Sequence, residues 1–263
     1  MTLLNILRKF FLIPKCILKI QNWQVAVLYY LGNENKEKEI ILKDGTKCLI
    51  RNKSDAIAFF ENFILEVNNL EDKIEIQQND IVIDIGAHVG YFTLYAAKRA
   101  QNGMVISFEP TKESFSVLKN NVKINNFQNI TINNLAVASI SESRILFVDK
   151  KYGISNTFYE NNTDLEKEIV QTTTLDEIYK KYNLEKIDFL KMDCEGAEFE
   201  IILNTSTEIF KKIKKISMEI HEDMVPHKFE ELIIKLGENG FTINIKNYTN
   251  GIKMMLPQLF AWR

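Results

Sequence analysis

The chain has almost no surplus charge. Its 33 basic and 35 acidic side chains leave a formal net charge of −2 at neutral pH. There is no global positive field of the kind that gathers nucleic acid, and a nucleic-acid partner is not expected. Cysteine is scarce too. Cys16, Cys48 and Cys194 are odd in number and far apart, which excludes a disulfide framework or a paired-cysteine metal motif and points to a reducing, cytoplasmic compartment. Long apolar runs are missing: the apolar opening, residues 1–31, is broken by Arg8, Lys9, Pro14, Lys15 and Lys19, so no run spans a bilayer. No small-residue cleavage site follows it in the manner of a secretory signal. Internal repeats and low-complexity tracts are absent. What remains is 263 residues, 46% of them hydrophobic, enough for one α/β domain with a sizeable core and an N-terminal extension.

The extension supports two readings. One is a pair of short helices capping the domain. The other is a basic amphipathic surface, through residues 1–20, resting on a membrane or a partner enzyme. Residues 39–42 and 46–50 flank Asp44-Gly45, a strong hairpin signal. Ser54 or Asp55 can cap a helix running to about Val67, with Ile57, Phe60, Ile64 and Val67 at helical spacing and expected in the core. Residues 1–70 therefore read as a helical and hairpin cap, and 71–263 as the main domain.

The chain is organised around residues 80–90, DIVIDIGAHVG. Ile81, Val82 and Ile83 suit a strand buried on both faces, with Asp84 at its tip. Gly86, Ala87 and Gly90 make a turn, and residues 91–100 read as a helix. This is the first half of a βαβ unit, with room for a ligand at the strand's carboxyl end. A dinucleotide loop wants a second glycine where His88 stands, so a ligand without phosphate at that point fits better. S-adenosylmethionine is such a ligand, and Asp84 is expected to accept from its amino-acid end. The same feature opposes a nicotinamide-dependent oxidoreductase.

Residues 104–108 form a second apolar strand ending in Glu109-Pro110. A carboxylate there, about 20 residues past the glycine turn, suits two ribose hydroxyls. A helix over 112–125, with Phe115, Leu118 and Val122 inward, leads to a third strand from Ile130. The loop after it offers Asn134 to an adenine ring, although Asn133 or Asn134 serves equally as a turn residue. Strands at 144–149 and 169–173 flank a polar insertion in which Tyr152, Gly153, Ser155, Asn156 and Thr157 are candidates for the substrate side. Thr174 caps a short helix over 175–182. A fourth strand over 187–192 runs into Asp193-Cys194-Glu195-Gly196-Ala197-Glu198, and a fifth over 215–219 into His221 and Glu222. Asp193 is placed at the reaction centre. Glu195 and Glu198 fall in a first helical turn, where negative charge is favoured anyway. A helix over 229–236 and a closing antiparallel pair, 241–245 and 251–256, complete a mostly parallel seven-stranded sheet with an antiparallel C-terminal edge.

DIGAHVGYFTL, SFEP, the Asn-Leu-Ala-Val stretch, TTTLDEI and above all KMDCEGAE followed by MEIHE resemble the FkbM-type methyltransferases, from about Arg51 to Glu222. The resemblance implies a Rossmann-like class I methyltransferase sheet, S-adenosylmethionine as donor, and O-methylation of a sugar, glycolipid or related small-molecule hydroxyl. It places Asp84, Gly86 and Gly90 at the donor turn, Glu109 at the ribose, and Asp193, Glu195 and Gly196 in the fourth-strand signature. Such a transfer is an in-line displacement needing alignment and loss of the hydroxyl proton. Two routes are open: His221 as general base, or a divalent metal held by Asp193 with Glu219 or Glu222. A non-catalytic binding protein on the same fold is the competing class. Methylation of a nucleic-acid base would call for Asn or Asp followed by Pro-Pro-aromatic, and here that place reads Asp-Cys-Glu-Gly.

Overall fold

The computed structural model describes residues 12–32, 36–70, 73–149, 156–159, 165–249 and 252–263. Residues 12–19 form helix α1 and Trp23–Tyr30 form α2, followed by the hairpin β1 (Lys38–Ile41) and β2 (Lys47–Ile50). Gly45, in the turn, has φ +89°, the left-handed conformation that an Asp-Gly hairpin requires. Helix α3 (Lys53–Phe59) continues as a π-helix over Phe60–Leu65. Its cap is Asn52, which accepts from Asp55 N–H, rather than Ser54 or Asp55. Asp55 is engaged instead by Arg51, at 2.8 Å. The wider π turn also shifts the buried face. Ala56, Phe59, Phe60, Phe63 and Ile64 pack inward, while Ile57 and Val67 are only half-buried. Glu61 and Asn62 are thereby turned toward the interior of the site.

Each following apolar run becomes a strand of one sheet. These are β3 (Ile81–Ile85), β4 (Met104–Phe108) and β5 (Ile130–Asn133), separated by helices α4 (Tyr91–Arg99) and α5 (Lys112–Asn125). Strands β6 (Ala136–Val137), β7 (Ser143–Val148) and β8 (Glu166–Thr173) form a separate three-stranded sheet in the order β6-β8-β7. Helix α6 (Leu175–Lys181) starts at Thr174, whose hydroxyl accepts from Glu177 N–H in a capping box. Strand β9 (Ile187–Met192), helices α7 (Ala197–Asn204) and α8 (Thr207–Phe210), β10 (Ile213–Glu219), α9 (Phe229–Glu238) and the long pair β11 (Thr242–Thr249) and β12 (Ile252–Trp262) close the chain.

The seven-stranded order is β5-β4-β3-β9-β10-β12-β11. The first five strands run parallel, and β12 and β11 are the antiparallel edge. The order reverses between β3 and β9, and α/β sheets hold ligands at the carboxyl ends beside such a reversal. The cap shares one hydrophobic cluster with α4, including Cys16, Tyr29, Phe59, Val82 and Tyr91. Ile83 and Ile85 face the other cluster, with Phe199, Ile202 and Leu236. Helix α5 turns Val117, Leu118 and Asn121 inward, whereas Phe115 and Val122 are half-buried. Asn121 ties the hairpin to the glycine turn: its Oδ1 accepts from Leu49 N–H at 2.8 Å and its Nδ2 donates to Val89 O at 2.8 Å. No helix among the described residues is long and apolar enough to cross a membrane.

Candidate active site

A cavity of about 370 Å³ opens at the carboxyl ends of β3, β4, β9 and β10. The glycine turn from Gly86 to Val89 forms one wall, Phe108, Glu109 and Pro110 a second, and Leu135, Ala136 and Val137 a third. Asp193, Glu195, Glu219 and His221 form an acidic corner, and the cap closes over it with Ser54, Ile57, Ala58, Glu61 and Asn62.

At the glycine turn the backbones of two strand ends pass in contact. Gly86 has φ +73°, and a Cβ there would lie 1.8 Å from Asp193 O. Ala87 lines the cavity. Gly90, with φ +92°, does not reach it. A Cβ at Gly90 would meet Leu118 at 2.4 Å, so this glycine serves the packing of the turn on α5 rather than a ligand contact. His88 adopts φ +49° and its N–H donates to Glu109 Oε2 at 2.8 Å. Thr111 donates to Glu109 Oε1 through its N–H, at 3.0 Å, and its hydroxyl, at 2.6 Å. Oε1 is thus saturated, and one acceptor position remains on Oε2 rather than the two expected from the sequence. Burial raises the Glu109 carboxyl above its ordinary range against the opposing bonds from Thr111 and His88.

Asp84 and Asn134, both expected at the donor, are engaged by the protein itself. Asp84 is not a strand tip: β3 runs on to Ile85, and pleating turns Asp84 into the sheet's α4 side, where it is fully buried. It accepts from Thr93 Oγ1 at 2.6 Å and faces Lys191 Nζ at 3.4 Å. Its carboxyl is raised by burial, which outweighs the charge of Lys191. Asn134 donates to the carbonyls of Glu109, at 2.9 Å, and Pro110, at 2.8 Å, and so is the turn residue of the alternative reading. Its neighbours from Leu135 to Val137 line the cavity instead.

The acidic corner follows from strand register. Met192 pairs with Met218 in the parallel β9/β10 ladder, so Asp193 and Glu219 emerge side by side. Lys191 donates to Gly86 O at 2.9 Å and lies 3.7 Å from Asp193 Oδ2. Burial, which lowers the Lys191 ammonium, is outweighed by Asp84 and Asp193, so it is held above its ordinary value. Burial pushes the carboxyls of Glu195 and Glu219 up to about 8 and that of Glu61 to about 7, with the charge of Asp193 adding to each.

His221 is not the free base expected of it. Its Nδ1 is 3.0 Å from Glu198 Oε1, which also accepts its backbone N–H at 2.8 Å. Its Nε2 is 3.5 Å from Glu195 Oε2. Burial lowers the imidazole, but the hydrogen bond to Glu198 and the charges of Glu198 and Glu195 win and push it to about 10. Glu198 is fully buried, and so does far more than complement a helix dipole. Glu222 pairs with Lys228 at 3.7 Å and does not line the cavity, which removes it as a ligand candidate beside Asp193.

Of the insertion candidates, Tyr152, Gly153 and Ser155 lie outside the described residues. Asn156 lines the cavity, and Thr157 Oγ1 donates to Glu195 O at 2.8 Å. Sequence reasoning missed Glu61. Its one local signal is a carboxylate set among Phe59, Phe60, Phe63 and Ile64. Among the described residues its side chain has no hydrogen-bond or ion-pair partner.

Fold and site together define a class I Rossmann-like methyltransferase. The sheet order, the glycine turn without a phosphate cradle, and a fixed strand-end carboxylate beside an apolar slot fit a nucleoside-bearing donor. The family model described as the methyltransferase FkbM domain matches residues 84–243, and the chain belongs to that family. It is accordingly an S-adenosylmethionine-dependent methyltransferase. It is 20% identical over 231 residues to the 31-O-demethyl-FK506 methyltransferase FkbM of Streptomyces tacrolimicus, covering 77% of this chain and 88% of that one. A crystal structure of methyltransferase FkbM from Methylobacillus flagellatus KT is similar with a TM-score of 0.48 and 15% identity, over 72% of this chain; the chain spans 45% of that protein's length. The Methanococcus jannaschii fibrillarin pre-rRNA processing protein shares the fold with a TM-score of 0.50 and 15% identity, over 86% of this chain and 82% of that one.

Proposed function

We propose that the chain methylates a hydroxyl of a small, hydroxyl-rich acceptor such as a sugar, glycolipid or related metabolite. The observation that carries this is the acidic corner sharing one cavity with the glycine turn: carboxylates are strong acceptors for hydroxyl protons. When bound, S-adenosylmethionine supplies an electrophilic methyl group, so that a C–O bond forms as the C–S bond breaks and the electron pair stays on sulfur. Glu109 Oε2 takes a ribose hydroxyl, the apolar slot of Phe108, Leu135 and Val137 takes the base, and Gly86 and Ala87 border the amino-acid end. Asp193 and Glu219 orient the acceptor hydroxyl. Glu61, which lines the same cavity, receives its proton. The cap, residues 1–70, thus serves as a lid that adds its own side chains to the cavity of the domain over 71–263.

Calorimetry with S-adenosylhomocysteine tests the donor half. The chain is expected to bind it, and Glu109→Ala to weaken binding by about 1.5–3 kcal/mol, roughly ten- to 150-fold, as for a lost bond to a charged group. Unchanged affinity in the variant sinks the assignment of Glu109. Labelled-methyl transfer to cell extracts, read by mass spectrometry, tests the acceptor half: label confined to amines or nucleic acid counts against a hydroxyl.

A second proposal concerns the N-terminal arm as a contact for anionic lipid. Residues 1–32 hold four cationic side chains, Arg8, Lys9, Lys15 and Lys19, and no acidic one. Leu18 is 71% exposed on α1 and Leu28 44% exposed on α2. Lys19 is partly engaged by Glu66, at 2.5 Å. Cationic and apolar side chains together match a negatively charged bilayer surface, each basic residue contributing about 1 kcal/mol near it. The chain is expected to sediment with phosphatidylserine-containing vesicles more than with phosphatidylcholine alone, and Leu18→Glu to abolish the difference. Equal recovery with both lipids overturns the proposal.

A further inference from the structure

We propose that Asp193, Glu219 and His221 bind a divalent cation, with Glu198 as the residue that positions the histidine. Use of that cation to acidify the acceptor hydroxyl rests on the reading above; its binding does not. One ligand atom from each of the three residues lies within 4.8 Å of the other two. They come from adjacent strand ends, where ladder register sets Asp193 against Glu219 and His221 follows two residues on.

The histidine is held as a ligand would be. Glu198 Oε1 accepts from both the backbone N–H, at 2.8 Å, and the ring Nδ1, at 3.0 Å, of His221. Glu198 Oε2 accepts from Gly196 N–H at 3.0 Å, which fixes the carboxylate. With the proton on Nδ1 directed to Glu198, the Nε2 electron pair faces the corner. A buried carboxylate behind the far nitrogen is the arrangement that orients metal-bound histidines and raises their basicity. A proton and a dication are alternative occupants of that pair.

Charge and space agree. Lys191 is shared between Asp84 and Asp193 and also faces Glu219, and His221 lies against Glu195 and Glu198, so two cationic side chains stand against five acidic ones. The surplus matches a double positive charge. Beside the corner lies a second chamber of about 30 Å³, walled by Glu61, Asn68, Lys191, Asp193, Glu219 and Gln258. It is polar and has room for about one water, the further ligand that a three-residue site would leave open. Two carboxylates and one imidazole suit a transition-metal dication better than magnesium.

The test uses Mn²⁺ alone, with the free-ion electron paramagnetic resonance signal as readout. The full chain is expected to deplete the signal stoichiometrically. Asp193→Asn and Glu219→Gln should abolish depletion, Glu198→Gln should weaken it about 10- to 100-fold, and Glu222→Gln should leave it unchanged. Urea melts and S-adenosylhomocysteine binding of each variant show whether it is folded. Binding of S-adenosylhomocysteine without Mn²⁺ depletion overturns the cation site and leaves the methyltransferase reading intact. Depletion that survives Asp193→Asn places the ion elsewhere and also overturns it. Depletion lost in Glu198→Gln but retained in the other two variants contradicts the ligand set.

Discussion

Replacing Lys191 with methionine is expected to destabilise the folded chain by about 3–5 kcal/mol, the usual result of removing one member of a buried ion pair. Methionine keeps much of the volume and the flexible stem, so the loss isolates the charge. The Lys191 ammonium is the only cation facing Asp84, at 3.4 Å, among the described residues. Asp84 is wholly buried and would be left with the Thr93 hydroxyl. Gly86 O would lose its 2.9 Å donor as well. Urea unfolding measures the deficit, and the double variant Lys191→Met/Asp84→Asn should recover most of it, because the uncompensated charge goes with its partner. The pH dependence has a definite sign. Asp84 sits above its ordinary range even with Lys191 present. Without it the folded state holds the proton still more tightly than the unfolded chain, whose carboxyl titrates near pH 4. The deficit should therefore shrink as pH falls from 8 toward that value. A deficit below about 1 kcal/mol, flat with pH, would mean that the pair contributes no more than an exposed one.

Gly86→Ala is the second large effect expected. Two separate penalties meet at this residue. The backbone conformation at φ +73° strains any residue with a Cβ by about 1–2 kcal/mol. The added methyl would also lie 1.8 Å from Asp193 O and 2.8 Å from Asp193 C. Those are backbone atoms, held by the Asp193 N–H bond to Ile85 O at 3.1 Å. Relief requires parting the ends of β3 and β9, the seam on which the cavity is built. Together the terms come to about 2–5 kcal/mol, with loss of S-adenosylhomocysteine binding in whatever remains folded. Gly45→Ala is the control. It has φ +89° but nothing within 4 Å of the added atom, so it should lose only the backbone term and leave binding untouched. Equal destabilisation of the two variants would show that the close approach at Asp193 has no energetic weight.

The differences between reading and structure share a cause. Strands over 104–108 and 187–192 and the helix over 112–125 were legible to the residue, because strand alternation and helix spacing are properties of neighbouring residues. So was the Thr174 cap. The acidic strand ends were legible too, since their order along the chain maps directly onto the order of the βα units. The π turn at Phe60–Leu65 was not, because it exists to seat Phe59, Phe63 and Ile64 against α4 and the hairpin. Asp84 looked like a ligand contact because its depth is set by Lys191, whose ammonium also reaches across 105 residues of sequence to Gly86 O. His221 looked like a base because Glu198, 23 residues away, is invisible from its own neighbourhood.

Residue pattern alone was enough for the class of sheet, the glycine turn after β3, and which strand ends carry carboxylates. Those outcomes depend on periodicity, on glycine's access to positive φ, and on the rule that parallel strands deliver their carboxyl ends to one edge. Packing set which of those acids stay reachable, which are locked in pairs, and that a residue of the cap completes the cavity. Depth and partnership depend on every segment packed around a group, most of them remote in the chain, so no local pattern encodes them.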